Sequence, residues 1–363
     1  MRALRSGRGA RVTDAEGREL IDGFAGLWCV NAGYGQESVV AAAAEQMRRL
    51  PYATGYFDLG SEPAIRLAAA LAERAPGDLN RVFFTLGGSD AIDSTIRYVR
   101  YYWHAMGQAG RDQFISVAQG YHGSTAGGAG LTALPSFHEG FGLPFDWQHK
   151  ISSHYAYRNP AGPDEAAIVA ASVAELPAKI GEIGAERVAA FYVEPIQGSG
   201  GVLVPPKGWT QAMREVCAEH GVLFVADEVI TGFGRTGPRF ASEDIVPDLM
   251  TVAKGLTSGY APMGAVFLSE DVYAAIADSA GMKAVATGSP TQRTPSPPPW
   301  GSRFWRSTRA ASSRTGGAWA RGCRRGCAGW PTIRWSATCG AGACSRRSSS
   351  SPTRRRRPRC PPS

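Results

Sequence analysis

The residues best placed to do chemistry lie between Val225 and Val266, in VADEVITGFGRTG (Val225–Gly237) and DLMTVAKGLTSGYAPMGAV (Asp248–Val266). The apolar run GVLFVA ends in two acids, Asp227 and Glu228. A second apolar run ends in one lysine, Lys254, followed at once by glycine. Short apolar runs bounded by turn residues read as buried strands, and in an open α/β sheet ligands bind beyond the carboxyl ends of the strands. A lysine amine held there can form a Schiff base with pyridoxal phosphate, and an acid can pair with the pyridinium nitrogen. Taken singly, a lysine after a strand is a solvated loop residue and a strand-end Asp caps the next helix. It is the pair, with the segments around it, that points to this cofactor.

The elements that must hold these residues follow an alternating order. RVTDAEGRELIDGFAG alternates polar and apolar residues and predicts a hairpin with its turn around Asp14–Gly17. Helices are predicted over Val39–Leu50 and Ala64–Ala75, stopped by Pro51 and Pro76. RVFFT (Arg81–Thr85) is a strand running into the turn LGGSD, and a long helix follows through AIDSTIRYVRYYWHAMG. QFISVA (Gln113–Ala118) leads into QGYHGST, VAAFYVEPI (Val188–Ile196) into QGSGG, and a helix over Trp209–His220 precedes GVLFVA. Strands alternating with helices, with polar residues at the strand ends, predict an α/β fold with a mostly parallel, doubly wound sheet. No repeat of solenoid or propeller period is present.

The formal net charge of +8 over 363 residues is misleading. Residues 1–288 hold all 31 acids but 23 of the 39 Lys and Arg, so this part carries −8. Residues 289–363 hold 16 arginines and no Asp, Glu or Lys, and they also lack Leu, Val, Met, Asn, His and Tyr. A folded core without Leu and Val is not expected, and disordered tails are poor in the Trp and Cys found here. This mixture reads as an aberrant tail, disordered or translated from a shifted frame. Only Cys29 and Cys217 precede it, which suggests a reducing compartment without a disulfide framework. With no signal-peptide or membrane-span pattern, a soluble cytoplasmic protein is the expectation.

Six segments in order carry a resemblance: DGFAGLWCVNAGYG, FFTLGGSDAIDSTIRYVRYYW, GYHGST, EPIQGSGGV, ADEVITGFGRTG and AKGLTSGYAPMGAV. Between about Arg11 and Gly288 the chain resembles the class III pyridoxal-phosphate aminotransferases, close to the ω-amino acid–pyruvate and amine–pyruvate transaminases. The resemblance implies pyridoxal-phosphate fold type I. It divides the chain into a small-domain segment (1–57), a large cofactor-binding domain (58–288) and a non-matching tail (289–363), so that the small domain is incomplete. It also implies transfer of an amino group from an ω-amino acid or amine to a keto acid such as pyruvate, in a homodimer.

Residue by residue, Lys254 resembles the Schiff-base lysine that also moves the proton, and Asp227 the acid at the ring nitrogen. Gly88 and Ser89 match a phosphate-binding turn at a helix start, where backbone N–H groups and the helix dipole favour an anion. The glutamate that follows this serine in the family is Asp90 here. Tyr121 matches the aromatic residue on one face of the ring and Val229 the apolar residue on the other. His122 is expected to orient its neighbours, Glu194 to help arrange the site, and Glu228 and Arg235 to brace structure. Trp28, Phe57 and Tyr121 are the expected substrate contacts; without the resemblance Trp28 reads as core.

Departures from the family are equally specific. The threonine segment that reaches the phosphate across the dimer, and the arginine that binds the acceptor carboxylate, have no counterpart after Gly288. The chain as written is therefore expected to have little transaminase activity. Two other readings stand beside the first: an aminomutase or racemase on the same fold, and an inactive truncated pseudoenzyme. RRRRPR (Arg354–Arg359) would attract phosphates, but arginine runs arise in any shifted GC-rich frame, and a nucleic-acid partner is not expected. No metal site is expected either, because Cys323, Cys327 and Cys339 lack zinc-ligand spacing.

Overall fold

A computed structural model of the chain describes residues 2–55 and 59–279. Phe57 and the segment 289–363 lie outside the described residues.

The chain opens with an antiparallel sheet of β1 (Leu4–Arg8), β2 (Arg11–Asp14) and β3 (Glu19–Ile21). The turn falls where the sequence places it: buried Asp14 accepts from Arg18 N at 2.9 Å and from Arg18 Nε at 2.8 Å. The next turn, α1 (Ala25–Trp28), is left-handed, with φ between 47° and 64°. Three of its four residues bear a Cβ, so it costs strain that glycine alone avoids. Helices α2 (Glu37–Arg49) and α3 (Glu62–Ala72) follow. Each begins two residues before the expected start; α2 ends where Leu50, preceding Pro51, is extended, as residues before proline are, and α3 ends at Ala72, short of Pro76. Ser61 caps α3, its Oγ accepting from Ala64 N.

The large sheet and its helices then appear as β4 (Arg81–Thr85), α4 (Gly88–Ala105), β5 (Gln113–Val117), α5 (Ala126–Leu131), β6 (Gln148–Ile151), α6 (Glu165–Ile183), β7 (Val188–Val193), α7 (Trp209–Glu219), β8 (Leu223–Asp227), β9 (Leu249–Val252), β10 (Gly264–Leu268) and α8 (Glu270–Ala277). The strand order is β4-β10-β9-β8-β7-β5-β6. β9, β8, β7, β5 and β6 pair in parallel, while β10 is antiparallel to both β9 and β4.

Both faces of this sheet are covered, which is why its strands are near-continuous apolar runs. On one face Ile92 and Val99 of α4 pack against Tyr192, Val225 and Val266. On the other, Leu176 and Ile180 of α6 and Met213 of α7 meet Phe191, Val193 and Phe224. Leu67 and Leu71 of α3 join Phe84, Met250 and Val252 toward the β4 edge. Burying each such side chain stabilises the fold by about 1.5–3 kcal/mol. Among the described residues no helix is long and apolar enough to cross a membrane.

Candidate active site

The parallel strands deliver their carboxyl ends to one cavity of about 500 Å³. Tyr121 and His122 follow β5, Glu194 follows β7, Asp227 ends β8 and Lys254 follows β9. Gly88 and Ser89 line the same cavity from the start of α4, and Val229 from the turn after β8. All eight residues expected at the cofactor thus come together.

Asp227 is buried and held by three donors. Its Oδ1 accepts from Thr251 Oγ1 at 3.1 Å and from Val229 N at 3.2 Å, and its Oδ2 lies 2.9 Å from His122 Nδ1. Glu194, 5% exposed, accepts from Tyr121 N at 3.2 Å and Gly198 N at 3.1 Å. Burial, and then the charge of Asp227, push its carboxyl well above the usual range, against the two N–H groups and Lys254. Glu228 is fully buried and turned away from the cavity. It accepts from Ser242 N at 2.7 Å, Ser242 Oγ at 2.8 Å and the hydroxyl of Thr231, so it braces the 231–242 loop as expected. Burial raises its carboxyl too.

The anion cradle is built by close approach. α4 starts at Gly87 without a side-chain cap, so its first N–H groups are left for another acceptor. A Cβ on Gly88 would come within 3.0 Å of Val229 Cγ1, and one on Gly123 within 2.7 Å of Ser89 Oγ. Gly123 also has φ +120°, a conformation that glycine adopts without strain. Asp90 accepts from Leu86 N at 2.8 Å, so the shorter acid still ties down the turn. The Tyr121 ring is set by Phe137, edge-on with centroids 5.1 Å apart, and its hydroxyl lies 3.0 Å from Ser124 Oγ.

Trp28 is not among the residues that line this cavity, whereas its neighbour Cys29 is. The left-handed α1 turn sends the Trp28 ring onto Phe24, with centroids 4.6 Å apart. Arg235 reaches the Trp28 carbonyl at 3.3 Å and the Asn31 side chain, a bracing role as expected. Leu86, Pro262 and Met263 also line the cavity and were not singled out from sequence. Nothing in their types distinguishes them from core or loop residues.

The residues present fit pyridoxal phosphate. An uncapped helix start with a serine suits the dianion, an aromatic and an aliphatic side chain suit the two ring faces, and an acid and a lysine suit the reactive ends. The comparisons agree. The class-III aminotransferase family model matches residues 1–287. A putrescine–pyruvate aminotransferase of Pseudomonas aeruginosa is 45% identical over 275 residues, which are 75% of this chain and 60% of that protein. An (S)-enantioselective omega-transaminase from Thermomicrobium roseum superposes with a TM-score of 0.82 at 39% identity, over 86% of this chain and 69% of that one. An amine transaminase from an uncultivated Pseudomonas species, in its PLP-bound form, gives 0.82 at 34%, over 86% and 71%. The chain spans about 60% of the length of the curated relatives it matches. A family match over most of the chain, a shared fold and a cavity that brings the expected residues together lead to one conclusion: the chain belongs to the class-III aminotransferases, which use pyridoxal phosphate.

Proposed function

We propose that residues 1–288 form the cofactor-binding part of a transaminase that moves an amino group from an ω-amino acid or amine to a keto acid such as pyruvate. One observation carries this reading: Lys254 and Asp227 line one cavity, and Asp227 is held there by three donors. A relative named for putrescine and pyruvate favours an amine donor and pyruvate as acceptor.

Bound pyridoxal phosphate supplies an electron sink for the substrate carbon that loses its proton. Lys254 Nζ takes up and returns that proton. Asp227 places a negative charge at the cavity wall, where it holds the proton on the ring nitrogen, and His122 fixes the carboxylate. The first N–H groups of α4 and the Ser89 hydroxyl bind the phosphate, with Gly88 giving Val229 room to approach. Tyr121 and Val229 would hold the ring of the bound cofactor, and Glu194 ties the Tyr121 segment to the strand beside it. On the substrate side Cys29, Leu86 and Met263 shape the wall, with Trp28 beside them as a substrate contact. The intact architecture is a cytoplasmic homodimer of a large domain (58–288) and a small domain to which residues 1–57 belong.

The test is alanine formation from pyruvate and putrescine or an ω-amino acid, with added pyridoxal phosphate. The full chain is compared with a chimera in which a relative's carboxy-terminal region follows Gly288. The chimera should form alanine with loss of one amine per pyruvate, the full chain little or none, and the chimera with Lys254→Ala none. Rearrangement or racemisation of an amino acid without consumption of pyruvate would favour the mutase or racemase reading instead.

A further inference from the structure

The expected machinery leaves one buried polar side chain against Asp227 without a role. Thr251 lies on β9 directly beside Asp227 on β8, the two being in-register partners of a parallel pair. It is 0% exposed, and its hydroxyl donates to Asp227 Oδ1 at 3.1 Å. The Thr251 carbonyl accepts from Glu228 N at 2.9 Å, so one residue holds both the side chain of Asp227 and the backbone that follows it.

We infer that Thr251 is a positioning residue for the cofactor ring: its hydroxyl fixes the rotation and the negative charge of the Asp227 carboxylate at the cavity wall. This rests on the reading of Asp227 as the partner of the ring nitrogen. Three carboxyl groups crowd this region, and the charge of Asp227 raises the proton affinity of both Glu194 and Glu228. The charge must stay on the one that faces the ring nitrogen. A hydroxyl donor favours the ionised form of its partner without bringing in a competing cation. Without it Oδ1 keeps one backbone donor, Val229 N at 3.2 Å, and Oδ2 keeps His122. A central strand favours a β-branched residue; valine would meet that preference equally well, so the strand alone does not account for the hydroxyl.

The test compares the affinity of the full chain for pyridoxal phosphate with that for its 1-deaza analogue, in which CH replaces the ring nitrogen. The wild-type chain should prefer pyridoxal phosphate. Thr251→Val should shrink that preference about tenfold, the scale of one hydrogen bond to a charged group. Its affinity for the deaza analogue should stay within about twofold, since that ligand makes no use of the Asp227 charge. Thr251→Ser, which keeps the hydroxyl, should keep the preference. If Thr251→Val does not fold, Thr251→Ala carries the same comparison. A preference left intact by both hydroxyl-free variants, or lost equally in Thr251→Ser, overturns the role of Thr251 alone. A wild-type chain with no preference overturns the pairing of Asp227 with the ring nitrogen, and this inference with it.

Discussion

His122 Nδ1 sits 2.9 Å from Asp227 Oδ2, with both side chains buried at the floor of the cavity. An ionised carboxylate only accepts, so Nδ1 carries the proton in this contact. The pair fixes a charge that a neutral amide cannot supply. Asp227→Asn should therefore preserve the shape of the cavity but lower the rate of amino transfer in the chimera by on the order of 10²-fold. Steady-state rates with and without the substitution decide this, and a near-normal rate would assign the ring nitrogen to another partner.

Lys254 should be the attachment point of the cofactor. Adding pyridoxal phosphate to the chain should produce a visible absorbance band that borohydride bleaches, and peptide mapping should place the reduced adduct on Lys254. In Lys254→Ala both the band and amino transfer should be lost together, because the covalent and proton-moving roles reside in one atom. An adduct on any other lysine defeats the assignment.

The two cysteines of the first 288 residues should differ in reactivity. Cys29 lines the cavity and is half-buried, whereas Cys217 is 0% exposed on the inward face of α7 and burial raises its thiol strongly. Brief alkylation of the native chain followed by peptide mapping should modify Cys29 and spare Cys217. Pyridoxal phosphate should slow the reaction at Cys29. Equal labelling of the two would contradict the described packing.

His154 makes stability depend on pH. It is 0% exposed and packs edge-on to Trp209 at 4.7 Å, and neither ring nitrogen has a protein hydrogen-bond partner. Burial pushes its pKa down from 6.5 to about 4. Between these values the unfolded chain binds the proton and the folded chain does not, so stability falls as pH drops below 6.5 and the loss is complete below about 4. The total is about 3 kcal/mol. His154→Phe removes this contribution. Thermal midpoints of wild type and variant should converge near pH 8 and separate in favour of the variant toward pH 5; parallel curves would refute it.

The strands that carry the site were legible because each is a short apolar run closed by glycine or a charged residue, as in VAAFYV before Glu194 and LFVA before Asp227. The edge strand β6 was not, since QHKI is polar and only half of it is buried. The reversal of β10 was hidden too, because the direction of a strand leaves no mark on its composition. The direction of the Trp28 side chain was hidden for a different reason. A left-handed turn is announced by glycine, but only Gly26 of the four α1 residues is one, so the direction of the tryptophan side chain could not be read. Thr251 passed unnoticed because threonine is an ordinary strand residue; its partner becomes visible only when β8 and β9 are set in register.

The reversed strand β10 ties reactivity to selectivity. Because β10 runs back beside β9, the chain leaves and re-enters the sheet at the same end, and the connection that bears Lys254 also lines the cavity with Thr257, Gly259, Ala261, Pro262 and Met263. A crossover helix would instead have carried the chain to the far end of the sheet. Altering that wall to admit a new substrate therefore risks shifting the lysine. Cys29 and Leu86 stand on separate segments that bear no proton-moving group, and substrate range is freer to diverge at those two positions during evolution or engineering.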